Sequence, residues 1–380
     1  MPLSDILESH RVIVCVGSGG VGKTTTSAAI ALRAAVGGKR VLCLTIDPAK
    51  RLANSLGLDA LGHEPQRIGA EVFDAAGLEC EGQLSAMMLD MKHTFDALVE
   101  RHASDPQRAR RILDNRIYQY VSTSLAGTQE YMAMEKLYQL RRDGDWDLIV
   151  LDTPPTSNAL DFLDAPRKLV SAIDSPVMRW FVQTVEGSAG LIGKGAGLVL
   201  KGLSRFTGTE FLQLINEFVT EINSMFGGFQ QRAQAVYDDL QSDDVAFLVV
   251  TSPAPAAVAE ALYFHDKLGD YGIEPHGLLV NRVHAPVAEE TDLSALRKAI
   301  AAHYTGDAEV LIERMRAAAA EQNGRARGDR AGIEKLQQRL PEKVGYAEIP
   351  AMETDVHDLA ALARVGDHLT AEPPPGLRAP

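Results

Sequence analysis

The 380-residue sequence predicts an α/β fold in which a mostly parallel sheet is flanked by helices. Short, continuously apolar runs recur along the chain, and stretches of helical character separate them. Such runs are typical of parallel strands, because these strands are covered on both faces. Several runs end in polar residues, which a parallel sheet brings to one edge, where ligands bind. The apolar fraction of 46% and the charged fraction of 23% fit a globular protein with a sizeable core.

The first apolar run leads into a glycine-rich loop. Residues 11–16 (RVIVCV) are predicted to form a buried strand, and residues 25–36 a helix that ends at two glycines. Between them, GSGGVGKTT at 17–25 matches the P-loop pattern G-x-x-x-x-G-K followed by Ser or Thr, in the strand–loop–helix context that the motif requires. In such a loop, backbone N–H groups and the helix N-terminus hold phosphate oxygens. We therefore predict an α/β fold of the P-loop NTPase class that binds ATP.

Within this loop, Lys23 is expected to reach the β- and γ-phosphates, and the Thr24 hydroxyl to hold Mg²⁺. The residues of the loop that are predicted to bind the nucleotide are Gly19, Gly20, Val21, Gly22, Lys23, Thr24 and Thr25.

Two further apolar runs end in aspartate. Residues 41–46 (VLCLTI) are followed by Asp47, and residues 147–151 (DLIVL) are followed by Asp152. A carboxylate that ends a strand beside a P-loop supports Mg²⁺ directly or through water. We therefore predict Lys23, Asp47 and Asp152 as catalytic residues, and Thr24, Asp47 and Asp152 as metal ligands. An aspartate before proline is also a common turn residue, which is the alternative for Asp47.

The rest of the chain is predicted to alternate strands with helices and to carry helical insertions. We expect a single ATPase domain over residues 1–371, followed by a disordered tail at 372–380. The predicted strands are 84–89, 245–250, 277–280 and 346–349, and a helix is predicted at 256–268. The predicted helical stretches are 92–142 with an interruption near 122–127, 165–239, and a charged stretch at 305–343 with a Gly/Arg break at 324–328.

Composition limits the class of partner and the compartment. The formal net charge of −13 argues against non-specific binding to nucleic acid as the main activity. The three cysteines form no C-x-x-C pair, which predicts buried thiols in a reducing compartment. The first residues lack a signal-peptide pattern, and no apolar run approaches the ~20 residues that span a bilayer. We therefore expect a cytoplasmic protein.

These motifs together resemble the arsenite-pump and tail-anchored-protein-targeting ATPases. The loop is similar to the family's G-K-G-G-V-G-K-T-T. The segment 47–49 (DPA) matches its D-P-A-H, with lysine in place of the histidine, and 152–156 (DTPPT) resembles its D-T-A-P-T. Asn281 falls on the family's V-N segment, whose asparagine contacts adenine, and Pro350 falls on the loop that closes the other side of the base. The resemblance therefore adds Asn281 and Pro350 to the nucleotide-binding residues. A strand-end cap is the alternative role for Asn281.

The resemblance implies a dimeric, Mg²⁺-dependent ATPase that opens and closes around nucleotide. In the family the counterpart of Asp47 positions the attacking water, and the nucleotide state is coupled to a client protein, an apolar segment or a membrane-associated partner. The equivalent of residues 165–239 forms a hydrophobic groove for the client's apolar helix. Ordinary core packing is the alternative for the apolar side chains of that stretch.

The chain also departs from the family at Ser18, where the family carries a lysine that reaches the partner's phosphates. There are three explanations for this serine: slow hydrolysis, a substitute cation such as Lys50 or Arg51, or a heterodimer with a paralogue that carries the lysine. We favour the heterodimer. A regulatory ATP-binding subunit with weak hydrolysis, or a partition-type ATPase acting on a surface, are alternative functions. The C-x-x-C motif with which the family's targeting members bind zinc between two subunits is absent. The arsenite pump is duplicated and binds metalloid through clustered cysteines, whereas this chain is a single copy with dispersed cysteines, so arsenite transport is disfavoured.

Overall fold

We analysed a computed structural model of the chain. It describes residues 3–46, 50–116, 118–119, 122, 128–154, 234–288, 293–339 and 344–370, and the following statements concern these residues.

The strands of the described residues form one sheet of eight strands, in the order β3-β4-β2-β5-β1-β6-β7-β8. Every neighbouring pair is parallel except β3–β4, which is antiparallel. The strands are β1 (Val12–Val16), β2 (Arg40–Thr45), β3 (Gln66–Arg67), β4 (Gln83–Met88), β5 (Leu148–Asp152), β6 (Val245–Thr251), β7 (Gly277–Val283) and β8 (Gly345–Pro350). The predicted α/β fold with a mostly parallel sheet is confirmed.

Helices cover both faces of this sheet. They are α1 (Leu3–Ser9), α2 (Lys23–Val36), α3 (Lys50–Ser55), α4 (Ala70–Ala75), α5 (Met91–His102), α6 (Pro106–Asp114), α7 (Thr128–Asp143), α8 (Pro255–Asp270), α9 (Leu293–His303), α10 (Ala308–Gln337) and α11 (Leu359–Thr370). One core contains α1, α2 and α11, and α2 packs against both β2 and α11. The other core contains α7, α8 and α10. Helices α5 to α7 form a helical insertion between β4 and β5.

The central strand β1 shows why the apolar runs are continuous. Its Ile13 and Cys15 lie in the core on the α2 side, whereas Val14 and Val16 lie in the core on the α7 side. Because successive side chains point to opposite faces, a strand covered on both faces must be apolar at every position. All three cysteines are free thiols; Cys15 and the thiol on β2 are buried, and the third is partly exposed. Burial raises the pKa of Cys15 to about 12.

The end of α2 explains how the chain turns from the first helix into β2. The N–H of Gly38 donates to the Ala35 carbonyl, and the N–H of Lys39 donates to the Ala34 carbonyl. This is a Schellman motif, whose second residue past the helix adopts a left-handed conformation. Gly38 has φ 95°, which glycine adopts without steric cost.

The predicted break in the charged helical stretch is wrong. Helix α10 runs without interruption for 30 residues and includes both Gly324 and Gly328. A Cβ atom at either glycine would meet nothing within 4 Å, so both positions face open space. Asn323, Ala326 and Ile333 are buried on the opposite side. This packing outweighs the cost of about 1 kcal/mol that each glycine imposes on a helix.

Other boundaries also differ from the sequence prediction. The helical stretch predicted at 92–142 is broken at 103–105, where Asp105 caps α6 by accepting a hydrogen bond from the Arg108 N–H at 2.8 Å. Of the predicted interruption at 122–127, only Ser122 is described. Residues 155–233 lie outside the described residues, so the predicted stretch 165–239 is described only at its last residues, which are helical. The predicted tail at 372–380 is outside them too.

Within the described residues, none of the helices combines the length and apolar character that crossing a membrane would require.

Candidate functional site

The glycine-rich loop lies between the end of β1 and the start of α2, at the carboxyl edge of the sheet. Gly20 and Gly22 adopt left-handed conformations, with φ 76° and φ 97°. A Cβ at Gly22 would lie 2.2 Å from Asn281 Nδ2, so any other residue there would displace the Asn281 side chain. Gly22 is also the N-cap of α2, and no side chain caps this helix end. An uncapped helix N-terminus favours an anion, because of the helix dipole and the direction of its first N–H groups.

Lys23 opens α2 and is buried, with 7% of its surface exposed. Its Nζ donates a hydrogen bond to the carbonyl of Ser18 at 2.9 Å. The ammonium group is thus held beneath the loop. The Ser18 side chain, which is itself buried, brings no charge to the loop.

A buried carboxylate lies beside the start of α2. Asp152 ends β5 and is 1% exposed. Its Oδ2 accepts hydrogen bonds from Thr24 Oγ1 at 2.7 Å and from Thr45 Oγ1 at 3.1 Å. These three side chains come from α2, β5 and β2, and they meet because β5 lies between β1 and β2. Hydroxyl and carboxylate oxygens are the ligands that Mg²⁺ prefers.

Asn281 joins the loop to the far side of the sheet. The β7–β8 pairing shifts register between Asn281 and Val283, which indicates a β-bulge. At the bulge, Arg282 has φ 63°, a left-handed value that no other non-glycine residue adopts in the described part of the chain. Asn281 Oδ1 accepts a hydrogen bond from the Arg282 N–H at 2.9 Å, and its Nδ2 donates to the Val21 carbonyl at 2.8 Å. Asn281 therefore caps its strand and also braces the loop.

One cavity of about 820 Å³ extends from the loop to the ends of β7 and β8. The predicted nucleotide-binding residues that line it are Gly19, Gly20, Gly22, Lys23, Thr24, Thr25, Asn281 and Pro350. The Val21 side chain is instead buried in the core, and only its carbonyl faces Asn281. Asp152 lies behind the cavity wall, in contact with Thr24. Asp47, together with Pro48 and Ala49, lies outside the described residues. The assignment of these residues to nucleotide and metal stays a prediction.

Two residues of this region, Thr45 and His284, were not predicted from the sequence. Thr45 contacts Asp152, but its only signal is a hydroxyl residue at the end of an apolar run. His284 contributes to the cavity wall, as do Arg282 and the segment 351–357, which adjoin Asn281 and Pro350 in the two segments that the family resemblance places on either side of the base.

The segment that follows β7 is attached to α10 by hydrogen bonds. The N–H and Nδ1 of His284 both lie 2.8 Å from Asp329 Oδ2. The Val287 N–H donates to Asn323 Oδ1 at 2.8 Å, and Asn323 Nδ2 donates to the Val287 carbonyl at 3.0 Å. Helix α10 therefore fixes one wall of the cavity.

Comparison with known proteins agrees with the motifs. The family model for anion-transporting ATPases matches residues 10–340. The chain belongs to the anion-transporting ATPase family. It is 25% identical over 307 residues to the ATPase GET3 of Malassezia globosa, covering 80% of this chain and 82% of that relative. It is 27% identical over 315 residues to the ATPase get3 of Aspergillus terreus, with coverage of 80% and 82%. The ATPase get3 of Botryotinia fuckeliana is 27% identical over 286 residues, with coverage of 75% and 76%.

The predicted family is confirmed, and the family and its named members identify the chain as an ATPase.

Proposed function

We propose that the chain is an Mg²⁺-dependent ATPase that binds ATP in the cavity and uses the nucleotide state to control a dimer and its client. The observation that carries this proposal is the 2.7 Å contact between Thr24 Oγ1 and Asp152 Oδ2. It brings two oxygen ligands together at the lysine end of a loop whose cavity also reaches Asn281 and Pro350.

The cavity fits a nucleotide in size and in the distribution of polar groups. Its volume of about 820 Å³ lies within the range of roughly 300–1,000 Å³ that is typical of ligand sites. The loop places N–H donors at one end, and Pro350 and Met352 place apolar surface at the other. The phosphates would therefore lie over β1, with the base toward β7 and β8.

The residues on the β5 side fit Mg²⁺. Thr24 would bind the ion, Asp152 would bind it directly or through water, and Thr45 would hold the orientation of Asp152. The ion would neutralise charge on the β- and γ-phosphates. Asp47, which the family resemblance assigns to positioning the attacking water, follows β2 in the sequence.

Lys23 can serve the phosphates without leaving the loop. An ammonium group has three donors, of which the Ser18 carbonyl takes one. The loop carbonyl would orient the lysine, and its positive charge would attract the β- and γ-phosphates.

The ATPase proposal is tested by the variant Asp152→Asn, with Asp270→Asn as the matched control at an exposed ion pair with Lys267 on α8. We expect Asp152→Asn to bind ATP in the absence of Mg²⁺ but to lose about 10²–10³ in Mg²⁺-dependent hydrolysis. The control should match the wild type. Thr24→Ala should reproduce the loss if the ion is held as proposed. Hydrolysis and Mg²⁺ dependence that remain unchanged in Asp152→Asn would contradict the assignment.

Ser18 supports a second step of the proposal, that the dimer pairs this chain with a paralogue. Serine cannot supply the charge of the family's lysine, and an analogous cation from a partner is worth about 10³–10⁵ in rate. We expect slow turnover for the chain alone and faster turnover for Ser18→Lys, measured by phosphate release at several protein concentrations. Brisk turnover of the wild-type homodimer, unchanged by Ser18→Lys, would contradict the heterodimer.

The same residue favours one alternative, a regulatory ATP-binding subunit with weak hydrolysis. The regulatory alternative predicts that adding a catalytic partner does not raise ATP turnover at this chain's own site. The client in either case would be a protein with an apolar segment, or a membrane-associated partner, bound by residues 165–239. The free thiols of all three cysteines support a reducing, cytoplasmic location.

A further inference from the structure

Two histidines and a glutamate meet beyond the carboxyl end of β4, away from the cavity. His63, Glu64 and His93 each offer one ligand atom, and these atoms all lie within 4.8 Å of one another. The two imidazole rings are 4.1 Å apart between centroids and inclined at 45°. His93 Nε2 is 3.7 Å from Glu64 Oε1. All three side chains are exposed, so an ion from solution can reach them.

The backbone holds both ligand-bearing segments at the end of the same strand. The Met88 N–H donates to the Gly62 carbonyl at 2.9 Å, which fixes the loop immediately before His63. The His93 N–H donates to Asp90 Oδ1 at 2.8 Å, which caps the first turn of α5. The backbone that carries the ligands is therefore held by local hydrogen bonds that do not depend on an ion.

We propose that His63, Glu64 and His93 form a binding site for a divalent transition-metal ion, with Zn²⁺ as the ion that fits best. Two imidazole nitrogens and one carboxylate oxygen suit Zn²⁺, whereas Mg²⁺ and Ca²⁺ prefer oxygen ligands alone. Tetrahedral bonds of about 2.0 Å place ligand atoms about 3.3 Å apart. The exposed side chains reach this spacing by rotation, and the fourth position stays open to solvent.

The histidine site and the proposed Mg²⁺ site lie at different strands of the sheet. The oxygens of Thr24 and Asp152 lie at the end of β5, and β2 lies between β5 and β4. A bound ion at the histidines would fasten the loop that follows α3 to the first turn of α5. Because α5 begins the helical insertion between β4 and β5, this ion would restrain the insertion where it leaves the sheet.

The experiment uses tag-free, full-length protein that has been dialysed against EDTA and then against metal-free buffer without nucleotide. Zn²⁺ binding is measured by competition with a chromogenic chelator in the presence of excess Mg²⁺, and Co²⁺ is used as a spectroscopic probe. We expect one Zn²⁺ per chain that Mg²⁺ does not displace. His63→Gln and His93→Gln should each weaken binding by at least about tenfold. The Co²⁺ spectrum should show no thiolate charge-transfer band.

Two matched controls keep the assignment specific. His303→Gln removes an exposed histidine at the end of α9, and Cys80→Ser removes the partly exposed thiol. Both should bind Zn²⁺ like the wild type. Thermal unfolding in EDTA should give the same midpoint for every variant, because the three ligand side chains are exposed. If His93→Gln unfolds at a lower temperature than the wild type, the Zn²⁺ affinities of the loop variants His63→Gln and Glu64→Gln test the site instead. Binding no weaker in the ligand variants than in the controls, or loss in Cys80→Ser, would overturn the site.

Discussion

The left-handed turn at Gly22 allows backbone strain and steric collision to be measured separately. Gly22 has φ 97°, and a Cβ there would lie 2.2 Å from Asn281 Nδ2. Gly20 has φ 76°, and a Cβ there would meet nothing within 4 Å. The variants Gly22→Ala and Gly20→Ala therefore share the strain, but only Gly22→Ala displaces a neighbour.

The expected magnitudes follow from this difference. Holding an alanine in the left-handed conformation costs roughly 1–2 kcal/mol, which is the whole expected effect of Gly20→Ala. Gly22→Ala also pushes the Asn281 carboxamide from the Val21 carbonyl, and the loss of that hydrogen bond costs about 0.5–1.5 kcal/mol more. We expect Gly22→Ala to lower the free energy of unfolding by roughly 2–3 kcal/mol.

Urea unfolding followed by tryptophan fluorescence measures both variants, alone and combined with Asn281→Ala. Once Asn281 is alanine, the collision at Gly22 is removed, so the two substitutions should combine to about 1 kcal/mol less than their sum. Gly20→Ala and Asn281→Ala should be additive. A Gly22→Ala variant no less stable than Gly20→Ala, or an additive cycle at Gly22, would refute the idea that Asn281 braces the loop.

Four further predictions concern other parts of the fold. Gly328→Ala should raise the free energy of unfolding by about 0.5–1 kcal/mol in urea titrations, because its Cβ meets nothing within 4 Å and alanine favours the helix. Gly332→Ala should lower it, because its Cβ would lie 2.4 Å from a backbone carbonyl of the β6–α8 loop. A thiol reagent should modify one cysteine of the native protein, Cys80, and slowly, because burial raises its pKa; all three should react after unfolding. Burial, and then a second imidazole nearby, lower the pKa of His276, so the unfolded chain binds more protons as the pH falls below about 6.5. Stability should therefore decrease with acidification through that range, and His276→Gln should flatten this part of the pH profile.

Opposite results would contradict three of these predictions. A destabilising Gly328→Ala would mean that the outer side of α10 is not open. Rapid modification of all three thiols in the native protein would contradict the burial of the strand cysteines. An identical pH profile for His276→Gln and the wild type would show that this imidazole does not contribute to acid sensitivity.

Much of the sheet could be predicted because burial on both faces leaves a local signal. The strand predicted at 147–151 is observed at Leu148–Asp152, and the strand predicted at 245–250 is observed at Val245–Thr251. Helix α10 could not be predicted in the same way. Its glycines suggest a break locally, whereas the buried contacts of Asn323 and Ile333 keep the helix continuous. Those contacts depend on the position of β7 and α8, which no local pattern contains.

The candidate site also contains some residues that local sequence motifs predict and others that they do not. The loop and Asp152 follow from short motifs, and Asn281 follows from the family resemblance alone. Thr45 and His284 depend on side-chain pairs formed by residues distant in sequence. Thr45 and Asp152 are 107 positions apart, and His284 and Asp329 are 45 positions apart. Such pairs are defined only when the strand order is known.

The brace from Asn281 to Val21 spans 260 residues of sequence, and this separation affects how the protein matures. The glycine-rich loop and β1 leave the ribosome long before β5 and β6, the two strands that flank β1 in the sheet. The hydrogen bond from Asn281 to Val21 can form only after β7 has been synthesised, because Asn281 lies on β7. Contacts between distant residues also form slowly, because a long loop must close first. The loop is therefore synthesised before β7 but reaches its final shape only after β7 is in place, and a nascent chain that stops before β7 would leave it unbraced.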